Sequence, residues 1–265
     1  MKGASPILIG ALLLASSSGA AADEQPICAD RPSKSTGACT VPTGRLQVET
    51  GLIDWAHDHS DGITRDLTII GSSLIKLGIS DRADVEFGIN PIEIAHEHGN
   101  VSHDHETGFG DMIVRAKYHL TGEGAPIEVA VDPFVKIPTA SHHFGNGKVE
   151  GGLVIPTDAP LGNSGLTISL DPELDLLADE DGHGHHLAMI QVLNLGGSLS
   201  DRVGLSAELW GMWDWDPAGT GKQVSADGAI TYLLGKNLQL DGGANFGLNS
   251  ETPDLEVYSG VSIRF

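Results

Sequence analysis

From Gly44 to Phe265 the chain alternates apolar and polar residues with a period of two. That spacing puts neighbours on opposite faces of a strand. The stretch LEVYSGVSIRF places Leu255, Val257, Ser259, Val261, Ile263 and Phe265 on one face, and Glu256, Tyr258, Gly260, Ser262 and Arg264 on the other. In DMIVRAKYHL, Met112, Val114, Ala116, Tyr118 and Leu120 oppose Asp111, Arg115, Lys117 and His119. Twelve such segments are expected, over about 44–55, 66–78, 82–95, 109–121, 126–137, 146–156, 165–177, 186–199, 202–215, 221–233, 238–250 and 255–265. A tilted strand needs about 9–11 residues to cross a bilayer, and bacterial outer-membrane barrels use an even strand count.

The polar face is too charged for a packed soluble core. It carries Glu49, Asp84, Glu86, Arg115, Lys117, Glu128, Lys136, Asp171, Glu173, Glu208, Asp227, Asp241 and Arg264. In a membrane barrel the faces invert, with apolar residues toward lipid and charges toward a wet lumen. The segments also exceed the usual soluble strand length of about five or six residues. The expected fold is therefore all-β, a transmembrane antiparallel up-and-down β-barrel of about 12 strands. Arg115, Lys117, His119, Glu128, Lys136 and Arg264 should face the lumen, with Val114, Ala116, Val129 and Val135 toward lipid. Tight connections such as ISDRA, LSDRV and LGKN alternate with longer ones, as periplasmic turns alternate with extracellular loops. Tyr258 and the terminal Phe265 read as an assembly signal for the barrel assembly machinery.

The N-terminus refines this picture. Lys2, the apolar PILIGALLLA and the small-residue SSSGAAA form a secretory signal, with cleavage expected after Ala22. The expected division is a signal peptide at 1–22, a periplasmic arm at 23–43 and a barrel at 44–265, with a lumen that is either open or partly filled by charged side chains and this arm. Export makes a disulfide between Cys28 and Cys39 the favoured state, closing a small loop in the arm; two unpaired thiols are the alternative. The formal charge is −21, which disfavours nucleic acid and attracts cations.

DRPSKSTGACTVPTGRLQVETGLIDW (Asp30–Trp55), GFGDMIVRAKYHL, PFVKIPT, GNGKVEGGLVIP, LSDRVGLSAELWG and YSGVSIRF resemble a known family. It comprises outer-membrane barrels described as transporters of the meta-pathway of phenol degradation. The similarity covers nearly all of the exported chain. It implies an outer-membrane barrel in a Gram-negative bacterium and passive uptake of small apolar compounds, and it brings no catalytic residues. The loop histidines and the cysteine pair depart from the family pattern.

Twelve histidines occur, and eleven fall in segments expected to be extracellular. They are His57 and His59; His96, His98, His103 and His105; His142 and His143; and His183, His185 and His186. Only His119 falls in a strand interior. Imidazoles suit transition metals, and His-x-His in an extended chain turns both rings to one side. Acidic neighbours Asp58, Asp61, Glu97, Asp104, Glu106, Asp179, Glu180 and Asp181 add oxygen donors. The leading expectation is a transporter or channel whose rim binds Zn(II) or a similar divalent ion. Polar loop residues without a ligand, or a proton-sensing rim, are the other readings. The alternative function is a passive channel for small apolar or aromatic compounds, with the histidines incidental. A lipase is disfavoured because no G-x-S-x-G occurs. The expected partners are outer-membrane lipid, the assembly machinery and a small solute or ion, with no required cofactor.

Overall fold

The computed structural model describes residues 26–60, 62–99, 103–122 and 124–265. The signal segment 1–22 and Asp61 lie outside these residues, as does the side chain of His103. The strands are β1 (Leu46–Ser60), β2 (Ile63–Ile70), β3 (Ser73–Ser80), β4 (Ala83–Ile89), β5 (Ile92–His98), β6 (His103–Gly108), β7 (Met112–His119) and β8 (Glu128–Ile137). They continue with β9 (Glu150–Val154), β10 (Thr157–Pro160), β11 (Leu166–Ala178), β12 (His185–Ser198), β13 (Val203–Asp216), β14 (Gly219–Leu233), β15 (Leu238–Gly247) and β16 (Leu255–Arg264). Neighbours pair antiparallel around a ring, and β16 pairs β1 to close it.

Sixteen strands make twelve staves, because four staves are broken near mid-length. β2 and β3 form one stave, β4 and β5 a second, β6 and β7 a third, and β9 and β10 a fourth. The breaks fall at Gly71–Ser72, Asn90–Pro91, Phe109–Asp111 and Ile155–Pro156. Proline has no N–H to give the ladder, so Pro91 and Pro156 interrupt it. Gly71, at φ +78°, supplies a turn that other residues adopt poorly. β11 to β16 run unbroken, so all four kinks fall in the other half of the wall, where β1 and β8 are the unbroken staves.

The cross-strand register shows the inversion directly. Leu170, Leu193, Leu209, Ala226, Phe246 and Leu255 are successive partners in one row across β11 to β16, and they face outward. One residue away, Ser169, Asn194, Glu208, Asp227, Asn245 and Glu256 form the neighbouring row and face inward. The largest fully buried side chains are led by Lys76 and Lys117, while Leu209 is 51% exposed and Phe246 54%. An apolar exterior suits acyl chains, and inward charges pair with one another, as Lys76 does with Glu49 and Lys136 with Glu150. Among the described residues no helix is long and apolar enough to cross a membrane; the strands do that.

Arg115, Lys117, His119, Glu128, Lys136 and Arg264 lie on the inward face, and Val114, Ala116, Val129 and Val135 on the outward one. Two expectations change. The arm, named periplasmic in the expected division, runs through the lumen over residues 26–43, which is the filled-lumen alternative. Most of the histidine-bearing loops are also strand: β1 and β2 run on to Ser60 and Ile63, and β5 and β6 form a hairpin. Polar cross-strand pairs such as Asp58–Arg65 and Arg65–Glu97 support these extensions. A strand standing above the lipid needs no apolar face.

Candidate channel lumen and extracellular rim

The arm is held by charge and by its own backbone. Ile27 N–H donates to the Lys236 carbonyl in the β14–β15 turn, at the entrance. Cys28 and Cys39 are bonded to each other, so the arm carries a closed loop. Asp30 accepts from Lys76 Nζ at 2.5 Å and from Lys117 Nζ at 3.1 Å. Lys76 also reaches Glu49 at 2.7 Å. Arg31 pairs with Asp241 at 2.8 Å on β15, and its guanidinium lies beside the Tyr258 ring. Gly260 permits this approach, because a Cβ there would collide with the Arg31 guanidinium.

Wall carboxylates capture arm N–H groups one after another. Arg31 N–H donates to Glu49 at 2.9 Å, Lys34 and Ser35 to Glu208 at 3.1 Å each, Thr36 to Asp171 at 2.7 Å, Ala38 to Asp158 at 2.8 Å and Val41 to Asp84 at 2.7 Å. An irregular segment inside a barrel must satisfy its backbone, and charge-assisted bonds do so strongly. Four of the buried wall carboxylates, Glu49, Asp84, Asp171 and Glu208, are occupied in this way. The inward charge was legible in the sequence; its role as a socket for the arm was not.

The arm divides the lumen. On its outer side lies a cavity of about 270 Å³ lined by Leu74, Ile89, Asn90, Asp111, Ile113 and Arg115, next to the kinked wall. On its other side a cavity of about 250 Å³ is lined by Ser169, Asn194, Thr231 and Gln239. Asp30, Arg31, Ser33 and Ser35 border both, so these four residues are the partition.

The rim histidines do not gather into one cluster among the described residues. His57 Nδ1 lies 2.8 Å from Asp66 and His59 Nδ1 lies 2.9 Å from Thr64 Oγ1, so each pairs with a neighbour on β2. His96 and His105 face each other across the hairpin with Nδ1 atoms 3.2 Å apart, and His98 stacks beyond His96. His142 and His143 meet edge to face, with His143 3.5 Å from Glu106. His183 is exposed, and His185 Nε2 contacts the Val149 carbonyl at 3.1 Å. His186 turns inward, is buried, and lies among Asp179, Asp214 and Asp216. His119 is buried near the periplasmic turns, 3.5 Å from Thr121 Oγ1. Strand pairing, which the sequence did not reveal at the rim, decides which rings meet.

A closed twelve-stave barrel with an apolar exterior and a charged interior defines an outer-membrane β-barrel of a Gram-negative bacterium. The chain belongs to the family described as "Putative MetA-pathway of phenol degradation", whose model matches residues 29–265. The crystal structure of the COG4313 outer membrane channel from Pseudomonas putida F1 superposes with a TM-score of 0.70 at 14% identity, covering 86% of this chain and 98% of that one. The translocator domain of the autotransporter NalP from Neisseria meningitidis gives a TM-score of 0.51 at 14% identity, covering 85% and 90%. No curated protein matches the sequence.

Proposed function

We propose that the protein is a passive channel for small aromatic or amphipathic solutes of about one ring, closed at rest by its arm. The observation that carries this is the outer cavity. Its volume of about 270 Å³ lies just below the usual ligand sites, which start at about 300 Å³, and so matches a solute of one ring. Leu74, Ile89 and Ile113 give it an apolar patch in an otherwise polar lining, where Asn90, Asp111, Arg115 and the arm's Arg31 offer hydrogen-bond partners. A phenol-like solute needs both. The family description and the likeness to an outer membrane channel support the reading. It assigns the chain no catalysis.

The test is current block in planar bilayers. The Asp30→Asn variant, whose arm lacks its main anchor, is used beside the parent chain. Phenol or catechol should reduce the ion current in a saturable way, and glucose should not. Block that never saturates, or that is equal for glucose, overturns the reading.

A further inference from the structure

The geometry points to a single divalent-metal centre on the rim, made by Asp179, His186 and Asp216 and holding a first-row transition ion such as Zn(II) or Mn(II). It is independent of the solute reading. Asp179 follows β11, His186 stands near the start of β12, and Asp216 ends β13. These three staves are adjacent, so the barrel brings the groups together although the chain separates them.

His186 Nδ1 lies 2.9 Å from Asp179 Oδ1 and 3.4 Å from Asp216 Oδ2, and the three donor atoms all fall within 4.8 Å of one another. Ligands about 2.0–2.2 Å from one ion, at tetrahedral or octahedral angles, lie about 2.9–3.5 Å apart. Both distances from His186 Nδ1 therefore fit a coordination face before any ion enters. It is the one group of three or more such side chains among the described residues.

Two further observations point to a ligand. First, His186 is 8% exposed, and its Nε2 has no hydrogen-bond partner although Asp214 Oδ1 is 2.7 Å away. Metal-bound histidines characteristically turn their second nitrogen to a carboxylate that fixes the ring, and Asp214 stands where that partner is needed. Second, the turn leaves room for the Asp179 carboxylate. Gly184 has φ +150°, and a Cβ there would strike Asp179 Oδ2. Asp216 is preset as well, since its Oδ1 accepts from Ala218 N–H and its Oδ2 from Glu180 N–H.

One imidazole and two carboxylates form a mixed donor set. The nitrogen favours a transition ion over Mg(II) or Ca(II), and three protein donors leave the remaining coordination positions to water. Ligation needs Nδ1 without a proton, so any proton held between Nδ1 and the carboxylates leaves to solvent as the ion enters.

The test is calorimetric titration of the folded, full-length barrel in detergent with Zn(II), with Mg(II) as control. Four proteins are compared: parent, His186→Asn, Asp216→Asn and His96→Ala/His105→Ala. The parent should bind one Zn(II) at micromolar or tighter affinity through this site. His186→Asn and Asp216→Asn should each weaken it at least tenfold, and His96→Ala/His105→Ala should leave it in place. Heat-modifiable gel migration verifies folding. Should His186→Asn fail to fold, Asp216→Asn, changed at a strand end, decides the question alone. Parent binding no tighter than millimolar, or folded triad variants that bind like the parent, overturn the centre. Neither result bears on solute block.

Discussion

Lys117 Nζ on the barrel wall and Asp30 Oδ1 on the arm stand 3.1 Å apart, although 87 residues separate them in the chain. Lys76 takes the other oxygen of the same carboxylate. Breaking a buried charge pair from one side costs about 3–5 kcal/mol, and Glu49 and Glu86 remain to relieve the two lysines, so the low end is expected here. Asp30→Asn should loosen the arm and raise single-channel conductance. An unchanged conductance would show that the arm does not close the pore.

Ion selectivity follows from the lumen's composition. Among the described residues, the buried carboxylates are Glu49, Asp84, Glu86, Glu93, Asp132, Asp171, Asp175, Glu208, Asp227 and Asp241, ten against the three buried cations Lys76, Lys117 and Arg264. A low-dielectric wall focuses this excess onto the path. The open Asp30→Asn form should favour K⁺ over Cl⁻, read as the reversal potential in a KCl gradient. Anion preference would contradict the inward placement of these carboxylates.

The outward row makes an energetic prediction. Leu193 sits between Leu170 and Leu209 near the middle of its stave. Leu193→Arg should destabilise the folded barrel in lipid vesicles by about 2–4 kcal/mol, the cost of a cation at the bilayer midplane. A urea-unfolding change within about 0.5 kcal/mol of zero, the range of an ordinary surface substitution, would place Leu193 away from lipid.

Phe265 closes the seam. Its N–H donates to the Leu46 carbonyl at 2.7 Å, and its ring points outward. Deleting it should lower the fraction of chain that reaches the heat-modifiable form in cells, because both the seam bond and the terminal aromatic are lost. Equal yields of folded barrel would remove Phe265 from the assembly signal. Tyr258, named with it from the sequence, turns into the lumen beside Arg31.

The staves were legible because membrane and lumen impose opposite chemistry on alternate residues, and rows such as Leu193–Leu209 and Asn194–Glu208 write that difference into the sequence. The kinks were less so. Asn90–Pro91 and Ile155–Pro156 were visible as prolines, but not as breaks aligned along one side of a ring. The arm's position stayed open between periplasm and lumen because its partners, from Glu49 to Asp241, are scattered over nearly the whole chain. His186 was visible as a ligand type and Asp179 as an acidic neighbour. Asp216, thirty residues beyond His186, joins them only through the register of β12 with β13.

The arm also has a mechanical consequence. Asp30 grips β3 and β7, and Glu208, which holds Lys34 and Ser35, stands on β13, six staves from the β4 stave between them. The segment thus acts as a tie rod fixed at opposite ends of a diameter, one end on the kinked half and the other on the smooth half. A cylinder braced in this way resists flattening. Cutting the brace frees the cross-section to become oval, and the compliance should appear first in the jointed half. There Gly71 and the two prolines already supply hinges, and the outer cavity would change shape with the wall.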